Sequence, residues 1–477
     1  VLAVACLAFL GLVCRSHSSP CSECGEVKNS NEPGRFARAR SRATPSNSLS
    51  ALLTAFNPQI GFNPSGFQVR LPHRNPALHH VTAGDCRCQC APLIKMSVIP
   101  GEEVSRGDFL SSTRAAFLSL PLALRLALPF AAAFRTGAAL SVIGQPRMPE
   151  LRGPYSSVGV RLVEIPGGSR AKVFYPAERS EGLADALYCT DRRKTSDGMA
   201  GLVGFKQLGL SFLLAHLADA QSGCQLNAPP TSKKLPLLVY SHGFGGNMDM
   251  ATYFMRQMAS FGVIVVALEH RDGTSSHTVL ADGTEQDFAP RLLSGSEQLE
   301  RRATELLAAV KPGVLGTDLA IDESRVFLGG HSYGGPAALR AAKKAASSSM
   351  SPKLAGLLLH DPALGMGASS LANAALGFPV LSFTSDEYDR GGVRCGTTFH
   401  VNGCFHGNFV DAALWAPLWV MRPLSTVIPA AGPAEPGGIH TLLARTGARF
   451  MQNPTEDLAW LEDEPTLERR AFYAGRG

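Results

Sequence analysis

One serine in this chain stands in a setting that favours nucleophilic chemistry. Ser332 lies in Gly330-His331-Ser332-Tyr333-Gly334, between an apolar strand-like run and an Ala-, Arg- and Lys-rich run that favours helix. Glycines two residues to either side remove side chains that would collide with the neighbouring strand and helix at so sharp a turn. The backbone N–H of Tyr333 and the helix dipole can then stabilise an oxyanion. We predict a nucleophile elbow with Ser332 as the nucleophile.

A serine nucleophile needs a base, and the base needs an orienting carboxylate. The chain order in folds with such an elbow is serine, acid, histidine, which excludes the histidines before Ser332. Of the later ones, His440 lies in a predicted terminal helix, His400 lies inside a predicted strand, and His360 precedes an acid candidate. His406 lies in a glycine-flanked loop just after the last predicted strand, so we predict that it is the base.

Two carboxylates compete for the role of the acid. Asp361 ends the strand that follows the elbow unit, and Asp386 ends the next strand along the chain. Many enzymes with this order of residues use the later position, which slightly favours Asp386. The residues alone leave both candidates open.

A second oxyanion donor is expected from the loop after an earlier central strand. The apolar run Leu235 to Tyr240 ends in Ser241-His242-Gly243-Phe244, where glycine allows close approach of the backbone. We predict that the N–H of Phe244 pairs with that of Tyr333. No cluster of His, Asp or Glu at metal-ligand spacing appears in this part of the sequence, so we expect metal-independent chemistry without a cofactor.

Strand-like and helical segments alternate from about Gly153 onwards, which predicts a mainly parallel central sheet flanked by helices, of the α/β-hydrolase class. We assign residues 151–455 to this catalytic domain. Residues 177–200 are charged and typical of a loop. Residues 202–217 are apolar on more than one side and predict a core or lid helix. Residues 456–477 are expected to form a tail.

Residues 1–150 differ from the rest and are predicted to be a targeting or disordered leader. They hold fifteen Lys and Arg against eight Asp and Glu, and Val1 to Val13 is typical of the apolar region of a signal peptide. Residues 115–134 are long enough to span a bilayer, but two prolines and an arginine interrupt them, which favours a targeting or interfacial segment. We expect a secreted or organellar protein, or a cytoplasmic one if translation starts at Met96.

The sequence excludes one class of partner and leaves one covalent feature open. The pI is about 8.8, but the excess of basic residues is confined to the leader, so it does not indicate nucleic-acid binding. Cys395 and Cys404 flank a predicted strand and could form a disulfide in a secreted protein. The sequence does not decide whether they do.

Five further stretches occur together in one order: Gly153-Pro154-Tyr155-Ser156, Ser241-His242-Gly243-Phe244-Gly245, Val263 through Glu269-His270-Arg271-Asp272, Gly330-His331-Ser332-Tyr333-Gly334-Gly335 and His406-Gly407-Asn408-Phe409-Val410-Asp411. In this order the motifs resemble those of the platelet-activating factor acetylhydrolases, plasma and intracellular type II. The resemblance covers roughly residues 153–450. It implies a calcium-independent serine hydrolase that removes acetyl or other short acyl groups from the sn-2 position of phospholipids, a 1-alkyl-2-acetylglycerophosphocholine esterase.

The resemblance also decides between the acids and suggests a partner. The family's catalytic acid follows the strand after the elbow, which corresponds to Asp361, whereas the segment around Asp386 matches a non-catalytic stretch. The resemblance therefore implies Ser332, Asp361 and His406 as the catalytic residues. Residues 210–217 occupy the position of the family's lipid-docking helix, so peripheral contact with a membrane or lipoprotein is expected. The oligomeric state is not indicated.

Three other functions are compatible with the sequence. The nearest is a carboxylesterase or polyester hydrolase of the same fold that acts on an ester other than a phospholipid. A second is a catalytically inactive lipid-binding homologue, although the intact Ser332 and His406 argue against it. A third is a membrane-anchored structural protein that uses residues 115–134.

Overall fold

The computed structural model describes residues 148–207, 209–349, 351–367, 376–389, 394–416, 421 and 431–470. All of them belong to one compact unit. The predicted leader and its apolar segment 115–134 lie outside the described residues, apart from 148–150.

A central sheet organises the described residues. Its strand order is β13-β12-β11-β10-β9-β5-β6-β2-β1-β4-β3. The strands from β6 through β5, β9, β10 and β11 to β12 are parallel, and the antiparallel pairs lie towards the two ends. A separate hairpin is formed by β7 and β8. The strands are β1 (Val158–Ile165), β2 (Ser169–Pro176), β3 (Asp185–Leu187), β4 (Gln221–Leu226), β5 (Leu235–Ser241), β6 (Ile264–Leu268), β7 (His277–Val279), β8 (Glu285–Asp287), β9 (Ile321–His331), β10 (Leu354–His360), β11 (Val380–Thr384), β12 (Thr397–Val401) and β13 (Leu467–Arg470).

Helices cover both faces of the sheet. Side chains of α1, α2 and α5 join one hydrophobic cluster, and those of α3 and α4 join a second. Alternate residues of β5 divide between the two clusters: Leu238 and Tyr240 face the first, whereas Leu237 and Val239 face the second. This is why the central strands are apolar at every position. The helices are α1 (Arg193–Leu202), α2 (Thr252–Ser260), α3 (Gly295–Ala309), α4 (Gly334–Ala346) and α5 (Pro436–Gln452).

The predicted α/β-hydrolase architecture, a mainly parallel sheet flanked by helices, is confirmed. The apolar run that ends in Tyr240 forms β5, the strands predicted to end at Asp361 and Asp386 are β10 and β11, and the strand predicted around His400 is β12. Short 3-10 helices occur at Ser211–Asp219, His406–Phe409, Asp411–Leu414 and Leu458–Leu461.

Two segments of the sequence fold differently from expectation. Residues 177–200, predicted as a loop, contain β3 and most of α1. The single helix predicted for residues 202–217 is not formed, because Gly204 and Gly209 adopt φ values of 81° and 69°, in the left-handed region that ends a helix. A 3-10 helix, Ser211–Asp219, follows instead.

The sheet also extends past residue 455, where the sequence predicts the end of the domain. Leu467–Arg470 forms β13 and pairs antiparallel with β12. Within the described ranges, no helix is both long enough and apolar enough to cross a membrane. Cys395 and Cys404 are buried free thiols, as are the other described cysteines, Cys189 and Cys224.

Candidate active site

Ser332 occupies a strained turn between β9 and α4. Its φ is 53°, a left-handed conformation that costs a residue with a side chain about 1–3 kcal/mol. Neighbouring backbone holds the turn: the Ser332 N–H donates to the carbonyl of His360 at 3.0 Å, and the Ser332 carbonyl accepts from Ala363 N–H at 2.9 Å and Gly335 N–H at 3.0 Å. The strand-to-helix setting predicted for the elbow is therefore present.

The two flanking glycines are required by close packing of the backbone. A Cβ atom on Gly330 would lie 2.4 Å from the carbonyl carbon of Gly334. A Cβ atom on Gly334 would lie 2.0 Å from the carbonyl oxygen of Ser241, at the end of β5. Both distances are far below van der Waals contact, and the atoms in the way belong to the backbone. The elbow therefore packs directly against β5. The residues that follow this strand, 242–245, are called the Phe244 loop.

We expect Gly334→Ala to destabilise the protein by about 3 kcal/mol or more, the upper end of the usual cost of overpacking, because the obstructing atom cannot rotate away. Urea unfolding measures this change. Gly365→Ala is the control, since a Cβ atom at exposed Gly365 meets nothing within 4 Å. Equal stability of the two variants would contradict the packing argument.

The structure brings Asp361 and His406 together. Asp361 follows β10, and its Oδ2 accepts from His406 Nδ1 at 2.5 Å. Ser385 donates to the same carboxylate twice, from its N–H at 2.7 Å and from its hydroxyl at 2.8 Å. Because Nδ1 carries the proton shared with Asp361, the arrangement leaves Nε2 of His406 as the basic nitrogen. Asp361 is fully buried and has a left-handed φ of 45°.

Two rings and a carboxylate fix the position of His406. The ring of Tyr388 stacks on its imidazole, with centroids 4.4 Å apart and planes 6° from parallel. The ring of His331 lies on it as well, at 4.4 Å and 32°. The backbone N–H of His406 donates to Glu387 Oε2 at 2.6 Å. Burial, reinforced by the neighbouring histidines His406 and His360, holds the pKa of His331 well below its usual value, so His331 packs as a neutral ring.

Tyr388 lies against His406 and is a residue of the site that was not predicted from the sequence. Burial and the nearby charge of Asp361 raise the pKa of Tyr388 to about 12. Tyr388 is thus a neutral phenol that stacks on His406. The sequence signal was its position just after a strand end, in Ser385-Asp386-Glu387-Tyr388, at the carboxyl edge of the sheet.

Asp386, the competing acid, pairs with a different histidine. Its Oδ1 lies 2.8 Å from Nε2 of His400, in β12. His406 bonds to Asp361 instead. The geometry therefore favours Asp361 over Asp386 as the acid, a choice that the residue types alone did not make.

We expect Asp361→Asn to lower the rate of ester hydrolysis by about 10³- to 10⁴-fold, because an amide at this position can hold the imidazole in the wrong tautomer. Asp386→Asn, the matched control, should stay close to the unmodified chain. Initial rates on a chromogenic acetate ester measure both. A larger loss at Asp386 would reverse the assignment of the acid.

Phe244 and Tyr333 lie on opposite sides of the contact between the Phe244 loop and the elbow. Their rings meet edge to face at 5.7 Å, and a Cβ atom on Gly243 would lie 3.0 Å from Cβ of Ser332. Neither the Phe244 N–H nor the Tyr333 N–H donates a hydrogen bond to any residue that the structure describes. Two free N–H donors beside Ser332 are what an oxyanion requires.

No group of three or more His, Cys, Asp or Glu in the described ranges is arranged to hold a metal ion. The ionisable groups that the structure pairs at this end of the sheet are Asp361 and His406. What this arrangement can do chemically is to deprotonate a serine and stabilise a negatively charged oxygen beside it.

Comparison with known proteins gives a consistent set of relatives. The family model for platelet-activating factor acetylhydrolase, isoform II, matches residues 140–304. Platelet-activating factor acetylhydrolase of Canis lupus familiaris is 26% identical over 43% of this chain and 53% of its own length. The protein of the same name from Gallus gallus is 24% identical over 42% of this chain and 57% of its own length. These matches span only about half the length of the curated relatives.

Two further similarities are more distant. A putative phospholipase A2 of Schizosaccharomyces pombe is 23% identical over 31% of this chain and 34% of its own length. A ferulic acid esterase from Streptomyces cinnamoneus, whose structure is solved, aligns over its whole length and over 68% of this chain, with 18% identity and a TM-score of 0.49. The family model ends before Ser332, so it includes Phe244 but neither Asp361 nor His406.

Proposed function

We propose that this chain, which has an α/β-hydrolase fold and is similar in sequence to the platelet-activating factor acetylhydrolases, is a serine-dependent carboxylic ester hydrolase acting on phospholipids. The observation that carries the proposal is the Asp361–His406 hydrogen bond next to the strained turn at Ser332. These are the chemical components of acyl transfer through a serine ester.

The proposed reaction has two halves. In the first, Ser332 Oγ attacks the ester carbonyl while Nε2 of His406 takes the hydroxyl proton, and Asp361 stabilises the imidazolium that results. The N–H groups of Phe244 and Tyr333 bind the oxyanion. His406 then gives its proton to the departing lyso-phospholipid oxygen. In the second half, water attacks the acyl-serine with His406 again as the base, which releases the acid and restores Ser332.

We further propose that the acyl group is acetyl, the group in the names of those relatives, or another short chain, and that it is attached at the sn-2 position, as the resemblance of the motifs implies. The aromatic rings beside Ser332 support a small acyl site. Phe244 makes an edge contact with Phe288 at 5.4 Å as well as with Tyr333, and Tyr388 lies over His406. Each charge in the scheme is balanced by a protein group, so we propose that the reaction is independent of calcium.

The lipid-docking role expected for residues 210–217 gains no support from the packing of that segment. Leu214 and Leu217 are buried in the first hydrophobic cluster, and the side chain of His216 bonds to the carbonyl of Trp415 at 2.7 Å. Five large apolar side chains are exposed among the described residues. Leu162, Leu183 and Leu226 lie on or beside β1, β3 and β4, at the end of the sheet away from β9, and the other two are Leu292 and Met366. We propose these two as points of contact with a phospholipid surface.

The test compares two phospholipids that differ only in carrying an sn-2 acetyl or an sn-2 palmitoyl group, with the full chain in excess EDTA. We expect the acetyl lipid to be hydrolysed at least tenfold faster than the palmitoyl lipid, because a small acyl site accepts an acetyl group but not a long chain. Ser332→Ala should retain the fold, measured by circular dichroism, and lose hydrolysis.

Two results would change the proposal. Hydrolysis that survives Ser332→Ala would overturn the serine mechanism. Labelling of Ser332 by a fluorophosphonate without hydrolysis of either phospholipid would leave an ester hydrolase whose substrate is not a phospholipid. A carboxylic ester or a polyester would then be the next substrate class to measure.

A further inference from the structure

We propose that Arg302 is a positioning residue that holds the oxyanion-binding loop in place, an inference that rests on the proposed serine mechanism. Arg302 lies on α3 and is completely buried. It contacts both stretches of chain that carry the candidate oxyanion donors, although it is not adjacent to either in sequence.

Four side chains and one backbone carbonyl surround the guanidinium. Nε donates to Asp272 Oδ2 at 2.7 Å, and Nη1 donates to the carbonyl of His242 at 2.5 Å and to Ser241 Oγ at 3.1 Å. Nη2 donates to Thr274 Oγ1. The guanidinium carbon also lies 5.1 Å from the centre of the Tyr333 ring, within cation–π distance. Arg302 therefore bridges the Phe244 loop and the elbow.

The bonds to the loop fix the direction of the Phe244 N–H. The carbonyl of Gly243 belongs to the same peptide plane as that N–H, and it interacts with His242 Nδ1 at 2.8 Å and accepts from Gly246 N–H at 3.0 Å. The preceding plane is held by Arg302 through the carbonyl of His242. Because each peptide is rigid, holding two consecutive carbonyls sets where the Phe244 N–H points.

A further series of hydrogen bonds orients Ser241, one of the acceptors of Arg302. Arginine can only donate, so Ser241 Oγ accepts from it and gives its own proton to His270 Nε2, 2.7 Å away. His270 Nδ1 then donates to Glu305 Oε2 at 2.8 Å, one turn along α3 from Arg302. Ser241 and His270 each donate to one acceptor in this series, so the buried groups around Arg302 form a connected network.

A lysine cannot replace this arginine. The planar guanidinium donates from three nitrogens in fixed directions, whereas an ammonium group is a point charge on a flexible stem. Lys at this position would keep the charge opposite Asp272 but would lose some of the simultaneous bonds to Thr274, Ser241 and the His242 carbonyl. The oxyanion donors would then be free to shift.

The first variant is Arg302→Lys, with Arg256→Lys as its matched control. Arg256 is also a buried arginine in a helix that donates to a backbone carbonyl, that of Pro149 at 2.6 Å, but it lies on α2, which packs on the other face of the sheet. Turnover of p-nitrophenyl acetate by the full chain is measured per active site, with sites counted by the end point of fluorophosphonate labelling. Counting sites removes any effect of unfolded protein from kcat.

We expect Arg302→Lys to lower kcat per site by about 10- to 100-fold with little change in KM, somewhat less than the 100- to 1,000-fold cost of deleting an oxyanion donor outright. Affinity for a trifluoromethyl ketone, which forms a tetrahedral adduct with the serine, should fall by a similar factor. Arg256→Lys should leave both quantities unchanged even if it lowers the melting temperature.

The outcomes separate this inference from the proposed function. Equal kcat per site in Arg302→Lys and the unmodified chain, or a rise in KM alone, would overturn the positioning role while the serine mechanism stands. An unmodified chain that neither turns over the ester nor reacts with the fluorophosphonate would overturn both. If the chain reacts with the fluorophosphonate but does not turn over the ester, the same comparison is made on the labelling rate constant, and an unchanged rate in Arg302→Lys would overturn the role.

Discussion

The left-handed backbone at Ser332 is the constraint on which the rest of the site depends. The strain persists because β10 and the start of the following loop bind both backbone groups of the residue, and because β5 packs so closely that Gly334 can carry no side chain. Asp361, at the end of the adjacent parallel strand, is also left-handed. Two strained residues at neighbouring strand ends are thus tied to each other through the Ser332–His360 and Ala363–Ser332 backbone bonds. The sheet fixes the spacing between the serine and the acid before any side chain contributes.

Buried charges then orient the groups on either side of this turn. On one side, Ser385 and His406 satisfy the carboxylate of Asp361. On the other, the Arg302–Asp272 pair lies beneath the Phe244 loop. Burial alone would raise the pKa of Asp272, but the charge of Arg302 and the hydrogen bonds from Thr274 and Arg302 outweigh it and lower the pKa. Such groups cost free energy to bury and return little net stability, so their value is in fixing directions. Fixed dipoles next to a developing charge are what acyl transfer requires.

Structure could be predicted from the sequence where neighbouring residues determine it, and less well where residues distant in the chain come into contact. The elbow and the central strands follow from glycine spacing and apolar runs, because crowding and burial act on neighbouring residues. Residue types could not choose between Asp361 and Asp386, since each has a histidine partner and only the contacts show which one. Tyr388 and Arg302 were missed for a related reason: Arg302 meets His242 across 60 residues of chain. The helix predicted for residues 202–217 was wrong because the prediction followed the apolar content of the segment and gave too little weight to Gly204 and Gly209.

Residue types and distances alone do not make a nucleophile. Ser241, His270 and Glu305 are linked by hydrogen bonds of 2.7 and 2.8 Å, the connectivity of a serine–histidine–acid triad. Ser241 is nevertheless completely buried, and Arg302 donates to its oxygen, so the lone pair that would attack an ester is occupied and no substrate can reach it. Ser332 differs in standing on a turn where a strand ends, beside two free N–H groups. A reactive serine therefore differs from a structural one in its position: it lies at the carboxyl edge of the sheet, in a strained turn that the surrounding backbone holds.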